Sequence, residues 1–568
     1  MKRVKSLLFI IICYLMSSYA FSAVRQGQEL ILPGHWSYNA LTALELEVGR
    51  VTFGDQAPVS IDEMKAYLSD IDYERLSEVG KKQYDKIISY LNEKNFSVDL
   101  GIFSLGLEPV VNLEGYYKGS DDTPWVYDYT KRQGLFELPI QFNVGDFLTM
   151  HMGLTGTQNY YTRAYRTDNY CNQIFSLNEF DPALVHESYL ATGYTWENNI
   201  GLALRFGSGT QSIGQTLMPS IIMSEYMTDT PYLNLRIFSP VFNYNMNITQ
   251  FTRNAYFYSH RLEARFFKKI SVSFMEGVLP YNQFDFRCIN PFTVYHGFGL
   301  FNEYSDCSSF FGAKISVVPV KYLRLYFLWA QNEHTMKSEM DLNQNFYPEG
   351  SGFQAGIESY IPGKKGYFHL GGEFYFSNTY MFIKENPNIS FAKVFTEMDN
   401  RGNNYYQWMG SPLGPDTLAF QVALGYENPG KWSCDMFYNF SARGEYSGTK
   451  LFRKAEWQIS NLECKNPSEW NYAESDELEK QKYIRSFQCP HGTPEYVNKI
   501  SVRGKYQILN WMSVMFQPSY TFIFNQGNKA DQFKHGVEFA LSLKMEFCKL
   551  PRNPLYSPNF LFEDGKEK

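Results

Sequence analysis

Charged residues that alternate with apolar ones carry most of the readable chemistry in this chain. Arg205, Arg261, Glu263, Arg265, Glu276, Asp285 and Arg287 mostly stand between apolar neighbours. In an extended chain every second residue shares a face, so several of these charges gather opposite a greasy surface. Two arrangements fit: a polar track that binds or passes a saccharide or other hydrophilic solute, and a salt-bridge network that fills a wide interior. On the first, Arg205, Arg261, Glu263 and Arg265 are ligand-binding candidates. A second group, Tyr405, Tyr406 and Trp408, stands beside Gly402 and Asn403, and Trp470 and Tyr472 stand in another polar stretch. Sugar rings pack their C–H faces on such rings while nearby amides take the hydroxyls; an interfacial girdle or loop packing would use the same residues.

Other chemistry is sparse. The 9 histidines, from His35 to His535, show no local nucleophile motif. Gly207 and Gly209 read as close backbone approach in a strand or turn rather than as a phosphate loop opening a helix. No catalytic residue, cofactor or enzymatic activity is expected. Of the 8 cysteines, Cys13 falls in a leader segment and the rest lack the paired spacing of a zinc site, so no metal is expected. Cys464 and Cys489 bracket a polar segment containing Asn466, Pro467, Glu474 and Asp476, the composition of a solvated loop. They are the candidates for a loop-closing disulfide.

The elements that must position these groups begin with a leader. Lys2, Arg3 and Lys5 charge the first five residues, Leu7 to Met16 are apolar, and small residues lead to Ala20, Phe21 and Ser22. This is the order of a secretory signal peptide cut near Ala23, and the apolar run is shorter than the ~20 residues of a membrane-spanning helix. Residues 23–95 read as a small helical domain. Trp36, Ala40, Leu41, Leu44 and Val48 recur at helical spacing and stop at Gly49; Ser60 and Glu63 form a capping box before Met64, Tyr67 and Leu68; Tyr84, Ile87, Ile88 and Leu91 make a third stripe ending by Asn95.

From about Phe96 the period changes to two. Val537, Phe539, Leu541, Leu543, Met545 and Phe547 alternate with Glu538, Ala540, Ser542, Lys544 and Glu546. Ile500, Val502, Tyr506 and Ile508, then Val514, Phe516, Tyr520, Phe522 and Phe524, repeat the pattern. Tight turns are expected at Lys268 and Lys269, at Pro319, at Pro362 and Gly363, and at Asn428 to Gly430, with long connections at 377–415 and 460–495. A soluble β-sandwich would also alternate. Aromatic residues reach 17%, with 43 Tyr and 47 Phe, and many segments are 9 to 11 residues long, which favours an all-β transmembrane β-barrel. Residues 96–548 are assigned to it and 549–568 to a tail; at ~25 residues per strand and loop, about 16–18 antiparallel strands result. Phe547 closes the last strand on an aromatic, as the signal for the barrel assembly machinery does. A net charge of −7 without a basic block argues against a nucleic-acid partner.

Several segments carry a family resemblance. Arg205 to Gly209 followed by Gly214, Leu217 and Ser224, then His260 to Glu263 with Asn290 to Phe292 and His296, then Gly410, Pro412, Gly414, Pro415 and Asp416, resemble Wzi-type capsule assembly proteins of the outer membrane. The resemblance covers most of residues 30–550 and implies a helical bundle ahead of an 18-stranded barrel. The pattern departs from the family's where a tryptophan is missing before the glycines at Gly207. His35, Trp36, Leu44, Gly49, Ser60 and Glu63 also resemble one S-layer homology repeat. The expected function is an outer-membrane β-barrel that binds surface polysaccharide and helps assemble or retain a capsule-like glycan layer, with the helical domain in the periplasm and lipid around the wall. A porin or transporter of hydrophilic or lipid solutes, with the helical domain as plug, is the alternative, and an adhesin is a third reading.

Overall fold

The computed structural model describes residues 25–92, 97–99, 101–128, 131–158, 180–183, 187–280, 284–296, 307–334, 349–384, 389–396, 404–447 and 489–549. Three α-helices come first. Helix α1, Trp36–Val48, ends at Gly49, whose φ of 76° is a left-handed cap that a Cβ would strain. Helix α2, Ile61–Leu68, starts on the expected capping box: Ser60 Oγ accepts the Glu63 N–H and the Glu63 carboxylate accepts the Ser60 N–H. Helix α3, Glu78–Asn92, begins six residues before Tyr84, a start that the apolar stripe does not mark because Val79 alone is apolar among Glu78 to Gln83. Leu41, Leu44, Ile61, Met64, Tyr67, Ile87 and Leu91 form their common core.

Among the described residues, 18 of the strands that follow close into an antiparallel barrel, with short extra strands along its sheet and three separate two-stranded ladders. Val110–Lys118 seals the seam against the last strand, Phe533–Glu546, and Leu148–Gln158 pairs directly with Ser188–Thr195. Burial along each strand decides between barrel and soluble sandwich. Leu202, Leu204 and Phe206 are 42%, 44% and 64% exposed, whereas Ala203 and Arg205 between them are 0% and 1%. On the last strand Val537, Phe539 and Leu541 are exposed while Glu538, Ala540 and Ser542 are buried. A sandwich would bury the apolar face; here that face forms the outside of a closed wall, the arrangement that a lipid solvent rewards.

Short turns gather at one end of the barrel, at Phe267–Lys269, 318–322, 363–366 and 429–431, as expected from the sequence. The opposite end carries the long connections. Two of these do not stay outside. The connection after Gly201–Gly209 and the one after Tyr367–Ser377 turn into the barrel, and Ile221, Ile222, Met223, Phe382, Phe391, Trp408 and Met409 pack with Phe257, Phe310 and Leu328 of the wall. The wall makes room with glycine: a Cβ at Gly352 would stand 2.5 Å from Ile221 Cδ1, and one at Gly371 2.6 Å from Leu217 Cδ1.

Candidate functional site

The inward charges of the wall meet the helical domain at the turn end. Arg205 on Gly201–Gly209 and Arg236 on Thr230–Phe238 both pair with the Glu63 carboxylate, Arg236 through Nε at 2.5 Å, and Arg205 Nη1 also donates to the Pro58 carbonyl at 2.8 Å. Arg261 and Lys314 both hold Asp55, the lysine at 2.6 Å. Arg265 reaches Glu45 at 3.1 Å and Asp70 at 2.6 Å. Glu263 accepts from Asn243 at 3.0 Å and lies 3.4 Å from Arg261. Backbone bonds add to the seat: Val51 N–H donates to the Lys268 carbonyl and Tyr322 N–H to the Leu46 carbonyl, both at 2.9 Å.

Of the two arrangements open to these charges, the structure therefore shows the ion-pair network. Among the described residues, Arg205, Arg261, Glu263 and Arg265 are buried against the helical domain rather than open to solvent. Asp285 and Arg287 pair with each other at 2.9 Å in a short 3₁₀ segment, Phe286–Ile289, away from that network. Glu276 accepts the His296 N–H at 2.7 Å. The reading missed Arg236 and Lys314, although both follow the same period of two. Buried pairs of this kind add little net stability, since desolvation offsets attraction, but losing one partner is costly; their effect is to fix the position in which the domain docks.

The acids of the helical domain respond to this setting in opposite ways. Burial raises the Asp55 carboxyl, but Arg261 and Lys314 outweigh it and hold it well below the ordinary carboxylate range; Arg205 and Arg236 do the same for Glu63. Glu45 goes the other way, pushed up to about 7 by burial against the pull of Arg265 and Arg50. The depressed pair stabilises docking above the unfolded-chain values of ~4 and loses that contribution as pH falls through the folded values. Glu45 binds its proton more readily when docked, so docking weakens as pH rises from ~4.3 toward 7. Protection of residues 25–92 from proteolysis is expected to peak at about pH 4.5 and to fall on both sides. Glu45→Gln should flatten the alkaline limb; a profile unchanged by that substitution counts against this assignment.

The long-connection end is organised around a different set. Glu373 accepts the Leu217 and Met218 N–H groups at 2.9 and 3.1 Å and Gln354 Nε2 at 3.0 Å, and takes the Tyr326 hydroxyl as well. Asp416 accepts the Tyr446 N–H at 3.2 Å, the His491 N–H at 3.1 Å and the His491 ring at 2.8 Å. Cys489 Sγ lies 3.9 Å from His491 Nδ1, and Asp416, Cys489 and His491 are close enough to hold a metal ion. The sequence reading, which expected no metal, could not see this trio because Asp416 is 75 positions from His491.

The aromatic candidates divide. Trp408 is 2% exposed and stacks at 6.1 Å on Phe382, so its ring has no face for a sugar. Of the roles open to it in the sequence, packing fits its surroundings: it ends the small strand Asn404–Trp408, which pairs with Ala392–Thr396, and joins the buried cluster with Phe382 and Phe391. Trp408→Ala is expected to destabilise by about 3–5 kcal/mol, as a large buried aromatic does, measurable by thermal unfolding in detergent. The side chains of Tyr405 and Tyr406, and Gly402, Asn403, Cys464, Trp470 and Tyr472, lie outside the described residues.

Comparison with solved structures joins these features to a known architecture. The chain is similar to Wzi, an outer membrane protein involved in group 1 capsule assembly in Escherichia coli and described as a carbohydrate-binding β-barrel, with a TM-score of 0.53 and 11% identity over 90% of this chain and 98% of that one. The fold is that of Wzi. OmpT of Vibrio cholerae matches with a TM-score of 0.34 and 9% identity over 79% of this chain and 99% of that one. OccK11 of Pseudomonas aeruginosa matches with a TM-score of 0.35 and 10% identity over 78% and 95%. No protein-family model matches the sequence, and no curated protein matches it.

Proposed function

We propose that this protein binds a surface polysaccharide at its long-connection end and helps retain a capsule-like glycan layer, the barrel sitting in the outer membrane with the helical domain in the periplasm. The observation that carries this reading is that the lumen is filled from both ends, by the helical domain and by the two inward connections. A plug alone would also suit a transporter; a second filling at the other mouth favours work through a face over passage through a channel. The carbohydrate binding named for Wzi supports the choice of ligand. The outward apolar wall supports the membrane, the leader supports export, and the aromatic end of the last strand at Phe547 supports insertion by the barrel assembly machinery.

Purified protein is expected to bind the surface polysaccharide of its own cell and to give no conductance steps in a planar bilayer. Tyr405→Ala with Tyr406→Ala should weaken binding by on the order of 1 kcal/mol per ring while the barrel remains heat-modifiable on gels. Steady open conductance in the parent, with glycan binding indifferent to both tyrosines, would establish a porin or transporter instead. Cys464 and Cys489 are proposed to close their loop outside the cell; a disulfide there stabilises by roughly 3 kcal/mol in the entropic model. Alkylation of both thiols in unreduced, denatured protein would remove that bond from the scheme.

A further inference from the structure

A cavity of about 380 Å³ opens between the helical domain and two barrel turns. Arg50 and Arg75 line it from the domain, and Lys268, Lys269 and Lys321 from the turns. Its acids are Asp70 and Asp72. Asp70 is already shared by Arg50 and Arg265, and Asp72 is turned to the Glu74 N–H at 3.2 Å. Among the described residues no carboxylate lies within ion-pair distance of Arg75, Lys268, Lys269 or Lys321. The C-terminus of α1 contributes part of a negative charge here, and together with Asp70 and Asp72 it is still too little to balance five cations. Arg50 records the crowding: burial first, then the nearby Arg265, push its guanidinium down to about 10.

The location selects among anions. Phe267, in the same turn as Lys268 and Lys269, is 88% exposed, and Val320 beside Lys321 is 58% exposed. Phe242 and Phe266 are exposed on the strands just above. The cavity therefore sits at the edge of the apolar band, where cationic groups meet headgroups and neighbouring aromatics meet acyl chains. The neighbouring turns add Lys364, Lys365 and Lys431, making this arc of the rim basic.

We propose that this cavity takes the phosphoryl group of an anionic phospholipid headgroup in the leaflet that the turn end meets. It rests on the membrane reading above. Arginines and lysines suit a phosphodiester because their N–H groups both neutralise it and hydrogen-bond its oxygens. The chemistry alone would also accept free phosphate, and the lipid is favoured by the apolar flank.

Native mass spectrometry of the delipidated full chain, with phosphatidylglycerol added back, tests this. The parent is expected to retain phosphatidylglycerol at least tenfold better than phosphatidylcholine of the same acyl chains, whose choline offsets the phosphate charge. The combined variant Lys268→Ser, Lys269→Ser and Lys321→Ser, all surface changes, should lose that preference yet keep heat-modifiable migration. Inorganic phosphate at millimolar concentration should not displace the lipid. Equal retention of both lipids by the parent, or an unchanged preference in the variant, overturns the proposal; displacement by inorganic phosphate overturns the lipid source. Failure of the membrane reading would show separately, as recovery of the protein in the soluble fraction without detergent.

Discussion

Glu63→Ala is expected to release the helical domain from the barrel, at a cost of about 3–5 kcal/mol. Glu63 is the shared partner of Arg205 and Arg236, and all three are nearly inaccessible to solvent. Alanine leaves two guanidinium groups buried without their carboxylate, and the Pro58 carbonyl that remains to Arg205 is a neutral acceptor. The same change removes half of the capping box that starts α2. Limited proteolysis should then cut within residues 25–92 while the barrel still migrates as a heat-modifiable species. Glu78→Ala, at the exposed start of α3, provides the comparison and should shift stability by no more than about 0.5 kcal/mol. Equal protection in the two variants would mean that packing, not ion pairing, seats the domain.

The second large effect is expected at Glu373. This carboxylate holds the inward connection by the Leu217 and Met218 N–H groups and is itself held by Gln354 and Tyr326. Glu373→Ala strips four donors of one acceptor, and a buried donor left unmade costs about 1–3 kcal/mol, so at least about 3 kcal/mol is expected against seating of that segment. The barrel has a second obstruction, so neither single variant should conduct steadily. Glu63→Ala combined with Glu373→Ala should open steps in a planar bilayer that both single variants lack. A double variant as silent as the parent would show that other contacts keep the lumen shut.

Much of the wall was legible in the sequence. The two-residue period is imposed by backbone geometry, so Val537 to Met545 announce their faces without knowledge of any partner. The turns at Lys268, Pro319, Gly363 and Gly430 could be read because they punctuate strands of opposite direction. The caps of α1 and α2 are equally local. What could not be read was whatever depends on register between distant segments. Arg205 meets Glu63 across 142 positions, and Arg261 meets Asp55 across 206. A charge pattern shows that such a residue faces inward but does not say whether water, solute or another part of the chain waits there. The connection 377–415 is long and irregular in the sequence, as a loop displayed outside the barrel would be. Its apolar residues, Phe382, Phe391 and Trp408, instead enter the barrel, and nothing in their spacing distinguishes insertion from display.

The two fillings of the lumen touch. Gln56 and Ala57 of the helical domain form a short antiparallel ladder with Ser212 and Ile213 of the inward connection, and the Gly214 N–H donates to the Asp55 carbonyl at 3.1 Å. Asp55 is also the residue that Arg261 and Lys314 clamp. A displacement of the connection therefore works against the seat of the domain, and release of the domain loosens the connection by the same free energy, because linkage between two sites is reciprocal. The interior is one continuous column of contacts, so a push at one mouth is expected to be felt at the other.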